Sequence, residues 1–433
     1  MRSFSALALF VSLLIPASAA DWFAVHNQGV EATVRNDYAA AATLFRKAAP
    51  LAQSPLERGL NANDLGVVLH QLKRDPEART LLETSIRIWH TIPGTEVRLA
   101  QSTEALATVC RALGDYPGAE AALRDALKTP APDDDNHALV LTVLGDILRE
   151  VGSPVEATQL LEQALRLPGI GVRRRLDATL ALADLDRDAR RWQSAFDRWT
   201  YAAQVACENH WETLEASAVR GLGVTYLEHS EPARAEPLLR RALALFEGAQ
   251  SPEHQIASTL SCLAQLYLVE KKFALAEDAL RRGIEISENS LSPNHPQVAV
   301  LLEMLGESVA ARDQFDQARE YYSRARLIMA ARFGDPSKIV AAVDASWAMV
   351  EQRLKHNNEA AADYEKALAV LDAAGPEVES LRSEVHRHYA EVCKTLHRKG
   401  LSGLQSYKPQ SFRAPASEMH RADPIKEPMS QSN

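Results

Sequence analysis

LGVTYLEHSEPARAEPLLRRA, residues 222–242, is the stretch that decides the fold. Its Ala235, Leu239 and Ala242 stand at i, i+4 and i+7, a small–large–small pattern that lies on one face of an α-helix. Gly223, twelve residues before Ala235, belongs to an earlier apolar run, and a residue without a side chain there lets two helix axes approach to about 8–10 Å. The stretch therefore predicts an antiparallel pair of helices joined by a short turn.

The same pattern recurs along the chain at intervals of 37 to 42 residues. Its fixed points, called the repeat alanines below, are Ala41, Ala78, Ala119, Ala157, Ala195, Ala235, Ala276, Ala318 and Ala360. Twelve residues before each stands a small residue: Gly29, Gly66, Ala107, Gly145, Ala183, Gly223, Ala264, Gly306 and Ala348. A large apolar or aromatic residue follows each repeat alanine by four positions. Self-similarity of this kind is the signature of a repeat architecture.

A single helix pair cannot bury both of its faces, so neighbouring pairs must stack. We predict an all-α fold, a right-handed α-solenoid of about nine helix pairs. In such a fold the length of the chain reflects the number of repeats, so we expect one elongated domain rather than two or three globular ones.

The composition excludes several classes of protein. The 433 residues carry a formal net charge of −9, with 46% hydrophobic and 24% charged residues, which excludes a disordered chain, a collagen and a multi-span membrane protein. Nineteen Gly and 21 Pro are too few turn residues for a many-stranded β fold. The acidic balance predicts no nucleic-acid partner, since such a surface needs a basic patch.

Two of the units resemble a known repeat most clearly. Leu222-Gly223-x-x-Tyr226 followed by Ala235, and Ala318-x-x-x-Tyr322, resemble the tetratricopeptide repeat (TPR) signature. The C-terminal units, with inserted linkers such as residues 292–296, are similar to kinesin-light-chain-type repeats. The resemblance implies a solenoid whose first helices line a concave groove that binds a protein or peptide ligand. A HEAT-like array of similar period is the alternative.

The first twenty residues have the pattern of a secretory signal peptide. Arg2 precedes an apolar run over residues 6–15, and the small residues of the segment 16–20 follow it. We predict cleavage after Ala19 or Ala20, a periplasmic or secreted protein of bacterial origin, and no stable membrane insertion after cleavage. The alternative is a membrane anchor, although an apolar run of about ten residues is short against the roughly 20 that a span needs.

We predict four segments: a signal peptide over residues 1–20, the TPR solenoid over 21–372, a capping helix over 373–399 and a disordered tail over 400–433. The capping helix is predicted from apolar residues at helical spacing, which would cover the exposed face of the last repeat. The tail is polar and has no periodicity. A tail that binds a partner is the alternative.

Two places depart from the repeat pattern. The fifth unit has Asp186 where an aromatic residue or Leu is usual, and Trp192 and Trp199 crowd its second helix, which predicts a polar-centred unit over residues 173–206. The acidic linker TPAPDDD, residues 129–135, is predicted to be a solvated loop rather than a metal site, because no other ligands accompany its aspartates.

No motif for chemistry stands out. The sequence has no His-Glu-x-x-His, no phosphate-binding loop and no nucleophile elbow, and its four cysteines show no metal-binding or redox spacing. His386 and His388 are two apart on a predicted helix and so point to different sides. We therefore expect no enzyme activity, no cofactor and no metal.

The candidate site is the face of the first helices. In TPR-like arrays the residues three before, one after and four after the small residue point into the groove. The partner-binding candidates at these positions are Asn63, His70, Arg111, Asp146, Arg149, Asp184, Arg187 and Arg220. Arg111, Arg149 and Arg187 occupy the same position in three successive units, and such a row of guanidinium groups suits an acidic segment or a C-terminal carboxylate.

The arginine row has a competing explanation. Asp146 and Asp184 stand three residues before Arg149 and Arg187, so pairs at i, i+3 could neutralise the row internally. The Lys and Asn of a carboxylate clamp are absent from the first helix, where His26 and Val30 occupy the corresponding positions, so binding of chaperone tails is not supported.

The leading hypothesis is an exported, non-enzymatic scaffold that mediates protein–protein interaction through its groove, in a setting such as bacterial envelope assembly or trafficking. The first alternative is an enzyme or ligand-binding sensor with a pocket at the irregular fifth repeat, around Asp184, Asp186 and Arg187. The second alternative is a spacer whose groove is filled by its own tail.

Overall fold

The computed structural model describes residues 17–129, 133–249, 251, 253–290, 292–375 and 378–396. The predicted tail lies outside these residues, as does the predicted signal peptide except for its last four residues. The described residues form nineteen α-helices and no strand, so the all-α prediction is confirmed. None of the described helices is both long and apolar enough to cross a membrane.

The chain divides into two compact units, and the division falls between Leu185 and Asp186 inside the ninth helix. Unit 1 contains α1 (Ala17–Val34), α2 (Tyr38–Ala48), α3 (Pro55–Gln71), α4 (Asp75–Trp89), α5 (Glu96–Leu113), α6 (Tyr116–Ala126), α7 (Asp134–Glu150), α8 (Pro154–Arg166) and most of α9 (Val172–Asp188). A short 3₁₀ helix, Ala49–Leu51, follows α2.

Unit 2 contains the remaining helices: α10 (Trp192–Glu208), α11 (Glu212–Glu228), α12 (Pro232–Gly248), α13 (Glu253–Val269), α14 (Phe273–Ser290), α15 (Pro296–Ala310), α16 (Phe315–Phe333), α17 (Lys338–Arg353), α18 (Asn357–Leu371) and α19 (Glu379–Thr395). The odd-numbered helices up to α17 are the predicted first helices, and the even-numbered ones are the second helices. The order therefore follows the nine predicted pairs and one final helix.

The small residues of the first helices contact the large residues of the second helices at the positions that the repeat pattern predicts. In unit 1 a Cβ atom placed on Gly145 would lie 2.8 Å from Cγ of Leu161, which stands four residues after a repeat alanine. In unit 2 a Cβ atom on Gly223 would lie 2.9 Å from Cγ of Leu239. All nine repeat alanines have no exposed surface. The small residue thus makes room for the large one, and the alanine lets the two helices touch.

The turn inside each pair has one feature that sequence analysis missed. The residue five positions before the repeat alanine has a positive φ in all nine units: Asn36, Lys73, Gly114, Gly152, Arg190, Ser230, Lys271, Asp313 and Lys355. This left-handed residue ends the first helix and reverses the chain. Only two of the nine are glycine, so composition does not reveal the turn.

The fifth unit has the predicted polar centre. The side chain of Asp186 is 4% exposed, and its carboxylate accepts hydrogen bonds from Nη2 of Arg191 at 2.7 Å and from Nε of Arg198 at 2.8 Å. The hydroxyl of Ser194 also donates to it. Because every donor lies on the turn before α10 or on α10 itself, the aspartate ties its own helix pair together.

The prediction of a solvated acidic linker is wrong for its last three residues. Asp133 caps α7 by accepting from the backbone N–H of Asn136, and Asp134 and Asp135 belong to the first turn of that helix. The carboxylates of Asp134 and Asp135 accept from the backbone N–H groups of Gly169 and Gly171, at 2.6 and 2.5 Å. The two aspartates therefore fix the linker between α8 and α9. Residues 130–132 lie outside the described residues.

The last helix packs on the end of unit 2. Val385 and Val392 of α19 are buried in one cluster with Ala345 of α17 and with Tyr364 and Leu371 of α18. The hydroxyl of Tyr389 donates to Oε1 of Glu365 at 2.6 Å. The helix thus covers apolar surface of the ninth pair, while the segment boundaries given above stay a prediction.

Candidate functional site

The predicted partner-binding residues lie on one side of the odd-numbered helices, called the first-helix face below. It consists of the positions three before, one after and four after each small residue. In unit 1 the face includes Asn63 and His70 on α3, Arg111 on α5, Asp146 and Arg149 on α7, and Asp184 on α9. Arg187 and Arg220 belong to the corresponding face of unit 2.

Asn63 is engaged in a hydrogen-bond network. Its amide donates to Oδ1 of Asp64 at 3.0 Å, and its oxygen accepts from the hydroxyl of Ser102 at 2.7 Å. That hydroxyl in turn accepts from the indole N–H of Trp89 at 2.9 Å. Asn63 thus joins α3 to α5, and a structural role accounts for its position.

His70 is also engaged within the chain. Its Nδ1 lies 2.6 Å from Oδ1 of Asp75, the first residue of α4. Both side chains are largely buried. The pair spans the turn between α3 and α4, so His70 fixes that turn rather than presenting a ring to a ligand.

Two arginines of the row, Arg111 and Arg187, lie close to acidic side chains. Nη1 of Arg111 lies 3.3 Å from Oε1 of Glu150 on α7, yet 45% of the arginine side chain stays exposed. In unit 2 the guanidinium of Arg187 lies 3.3 Å from Asp188 and 4.0 Å from Glu228 on α11. Both glutamates stand five residues after the small residue of the following first helix.

Sequence analysis missed the two glutamates, although the register holds the signal. It considered only aspartates on the same helix, whereas Glu150 and Glu228 come from the next unit along the chain. An arginine four positions after one small residue meets an acid five positions after the next, because consecutive first helices lie side by side. Glu150 and Glu228 therefore border the first-helix face.

Asp146 is the acidic residue that α7 contributes to the face of unit 1. It is partly buried, and within the part of the chain that the structure describes it makes no hydrogen bond or ion pair. Loss of water raises the pKa of Asp146 to about 7; the charge of Arg149 acts against the rise, Asp184 adds to it, and Arg111 acts against it. Near neutral pH this carboxylate can accept a hydrogen bond or pair with a cation.

Glu104 adds a second partly buried carboxylate to this face. It lies three residues before Ala107 on α5, and burial raises its pKa while the charges of Arg174 and Arg173 on α9 lower it. The charges of arginines on α9 therefore influence the protonation of a carboxylate on α5. The face offers a ligand carboxylates on α5 and α7 and a half-exposed guanidinium on α5.

The face of unit 2 has a different character. Nη1 of Arg220 donates to Oε1 of Gln255 at 2.8 Å, and its guanidinium lies 5.2 Å from the ring centre of Phe246. Further along, Oε1 of Glu303 on α15 is buried and has no hydrogen-bond partner among the described residues. Burial alone raises the pKa of Glu303 to about 8.

The structure does not support a reactive site at the fifth repeat. The oxygens of Asp186 are taken by Arg191, Arg198 and Ser194, so this carboxylate has a structural role. Within the described ranges no group of three or more His, Cys, Asp or Glu side chains could hold a metal ion. Whether the eight candidate residues bind a partner stays a prediction.

The comparisons with known proteins agree with the geometry. Two segments, residues 58–129 and 255–331, match the family model for the tetratricopeptide repeat. One segment lies in each unit, over α3–α6 and over α13–α16. No curated protein matched the sequence.

Solved structures share the fold at low identity. A Rap protein in complex with competence and sporulation factor is 15% identical, with a TM-score of 0.54 over 86% of this chain and 99% of its own. The apo form of RapI is also 15% identical, with a TM-score of 0.50 over 87% of this chain and 98% of its own. The TPR-like repeats of a kinesin light chain from Podosopora anserina are 19% identical, with a TM-score of 0.40 over 45% of this chain and 94% of their own. The two Rap structures confirm the predicted solenoid class, and at 15% identity they show the fold alone.

Proposed function

We propose that this tetratricopeptide-repeat protein binds a polypeptide segment on the first-helix face of unit 1 and catalyses no reaction. The reason is that such repeats form protein-interaction scaffolds. The observation that carries the proposal is Asp146, a partly buried carboxylate without a hydrogen bond or ion pair among the described residues. An unsatisfied buried acid costs stability, and a ligand that supplies a hydrogen-bond donor or a cation removes this cost.

The chemistry of the face defines the ligand class. Asp146 accepts a lysine, arginine or amide of the segment, while the half-exposed guanidinium of Arg111 binds a carboxylate that replaces or shares Glu150. The two groups lie on adjacent first helices, α7 and α5. The segment therefore carries a basic and an acidic residue close together. A rigid stack of helices presents both contacts already ordered, which reduces the entropy cost of binding.

A peptide selection tests this proposal. Peptides selected from a random display library on the purified protein should lose at least tenfold in affinity when Asp146→Asn is introduced. Glu162→Gln, which changes an exposed carboxylate on the second helix α8, is the matched control and should bind like the wild type. Equal affinity of the wild type and Asp146→Asn for the selected peptides would contradict the proposal.

The pH dependence provides a second readout of the same site. Because the pKa of Asp146 is about 7, its charge is present at pH 8 and largely lost at pH 6. Affinity for a peptide that pairs a cation with Asp146 should fall several-fold over that interval. Asp146→Asn should remove this dependence. A pH profile that the substitution leaves unchanged would show that other groups control binding.

We also propose that the protein acts outside the bacterial cytoplasm, as a component of envelope assembly or trafficking. Support comes from the sequence pattern of residues 1–20. A fusion of residues 1–25 to an alkaline phosphatase that is active only after export tests this step. Phosphatase activity is expected, and its absence from a fusion that is stably produced would contradict export.

A variant that ends at residue 399 separates the scaffold from the spacer hypothesis. If the tail occupied the face, this variant would bind the selected peptide more tightly than the full chain. We expect the two affinities to agree within a factor of two. A large gain on truncation would favour a face that is filled by the tail.

A further inference from the structure

Unit 1 contains a cavity of about 310 Å³ that is not part of the first-helix face. Helices α4, α5 and α6 line it and leave it open to solvent. Its apolar lining consists of Ile86, Leu99, Leu106, Ala122 and Ala126, and its polar lining of Glu83, Arg87, His90, Thr103 and Asp125. On α5 the lining residues stand eight, four and one positions before Ala107. At about 100° per residue their direction differs by about 140° from that of the first-helix face. The cavity is thus independent of the proposed binding face.

A missing leucine explains why the cavity exists. The residue three positions after the repeat alanine is Leu44 on α2, Leu81 on α4 and Leu160 on α8, and all three pack against the core of unit 1. On α6 the same position holds Ala122, which packs against the same core with a much smaller side chain. The space that a leucine fills in the other pairs of unit 1 is left open between α4 and α6.

The polar groups around the cavity are already engaged. Glu83 accepts from Nε of Arg79 at 2.8 Å, and Asp125 lies 3.1 Å from Nζ of Lys128 and 3.6 Å from Nε2 of His90. Nη2 of Arg87 donates to the hydroxyl of Thr84 at 2.9 Å. Inside the cavity, the hydroxyl of Thr103 donates to the carbonyl of Leu99 at 2.8 Å. No group there requires a charged or strongly polar occupant.

We propose that this cavity binds a small neutral molecule with a compact apolar body, an aromatic ring system of about the size of indole. Its volume lies at the lower end of the range for small-molecule sites, about 300–1,000 Å³. The apolar floor suits a flat hydrophobic ring, whose burial there removes apolar surface from water. A polar end of the ligand lies among the paired side chains at the rim and stays in water.

Fluorine NMR of 5-fluoroindole with the purified protein tests the proposal. Saturable broadening of the fluorine signal, reversed by an excess of indole, is expected for the wild type. Ala122→Leu fills the cavity and should weaken binding at least tenfold. Ala279→Leu is the matched control, because Ala279 has the same register position on α14 and lies in the buried core of unit 2. It should bind the probe like the wild type.

Two results would overturn the inference. The first is a wild type that shows no saturable binding of 5-fluoroindole up to millimolar concentration. The second is an Ala122→Leu variant that binds the probe as the wild type does. Should Ala122→Leu fail to fold, Ala122→Val provides the same test with a smaller side chain. Its folded state is checked by circular dichroism before the titration.

Discussion

Arg111 on α5 and Glu150 on α7 form an ion pair of 3.3 Å between two successive first helices. The arginine side chain is 45% exposed, while that of the glutamate is 15% exposed. The pair therefore holds a guanidinium in place on the first-helix face without removing it from solvent. Arg111 is in this way neutralised and still accessible.

The pair should contribute little to stability. Because the guanidinium is exposed and screened by water, we expect Arg111→Ala to change the free energy of unfolding by less than about 1 kcal/mol. Urea denaturation followed by circular dichroism measures this change. A loss of several kcal/mol would show that Arg111 is a structural residue, and loss of binding in an Arg111 variant could not then be attributed to the ligand contact.

Asp146→Asn should stabilise the protein, and more strongly at pH 8 than at pH 5. The pKa of Asp146 in the folded state, about 7, is above its unfolded value, so the folded state binds the proton more tightly and loses stability as pH rises from about 4 to 7. We expect a gain of about 1–2 kcal/mol at pH 8 and about half of that or less at pH 5. Urea denaturation at the two pH values checks this sign. A loss of stability at pH 8 would mean that the carboxylate is satisfied in the folded protein.

Substitutions at two equivalent left-handed turn residues should change the free energy of unfolding in opposite directions. Lys271 has a φ of 57° at the turn before α14, and Lys271→Gly should raise the free energy of unfolding by about 0.5–1 kcal/mol, since glycine adopts this backbone without a steric cost. Gly152 holds the same position before α8 with a φ of 85°, and Gly152→Ala should lower it by about 1 kcal/mol. Thermal and urea denaturation measure both changes. Effects of the same sign in the two variants would contradict the role given to the turn.

Asp186→Ala should destabilise unit 2. The substitution removes a carboxylate that binds Arg191 and Arg198, but these arginines are 51% and 31% exposed and can be solvated, so the expected loss is about 2 kcal/mol rather than that of a fully buried pair. Asp197→Asn, which changes an exposed carboxylate on the second helix α10 of the same pair, is the control and should cost less than about 0.5 kcal/mol. Equal losses in urea denaturation would show that Asp186 is not the centre of the fifth pair.

Much of the fold could be predicted from the sequence because the small residues mark the positions at which paired helices touch. Gly145 has no side chain and therefore lets Leu161 pack directly against its backbone. The two residues are separated by a fixed number of positions along the chain, so the contact can be predicted from the sequence. The polar centre at Asp186 was visible for the same reason, as a charge in an apolar position. The open space at Ala122 is also present in the sequence, as an alanine where the other second helices of unit 1 have leucine.

Other features depend on contacts between successive units, which the pattern of one unit does not contain. The pairing of Arg111 with Glu150 requires the stagger between α5 and α7. The same holds for Asp134 and Asp135, which the sequence places in a loop but which bind the backbone of the linker after α8. Lys271 has a left-handed backbone conformation, which lysine disfavours. The packing of the flanking helices outweighs the conformational cost.

Site-specific photocrosslinking tests the central claim, the binding of a polypeptide segment on the first-helix face of unit 1, most directly. A benzophenone amino acid replaces Thr108, one position after the small residue of α5, or Thr158, a partly exposed residue on the second helix α8. The selected peptide should be captured at position 108 and not at 158. Capture at position 158 with none at 108 would place the peptide on the opposite helices and contradict the account.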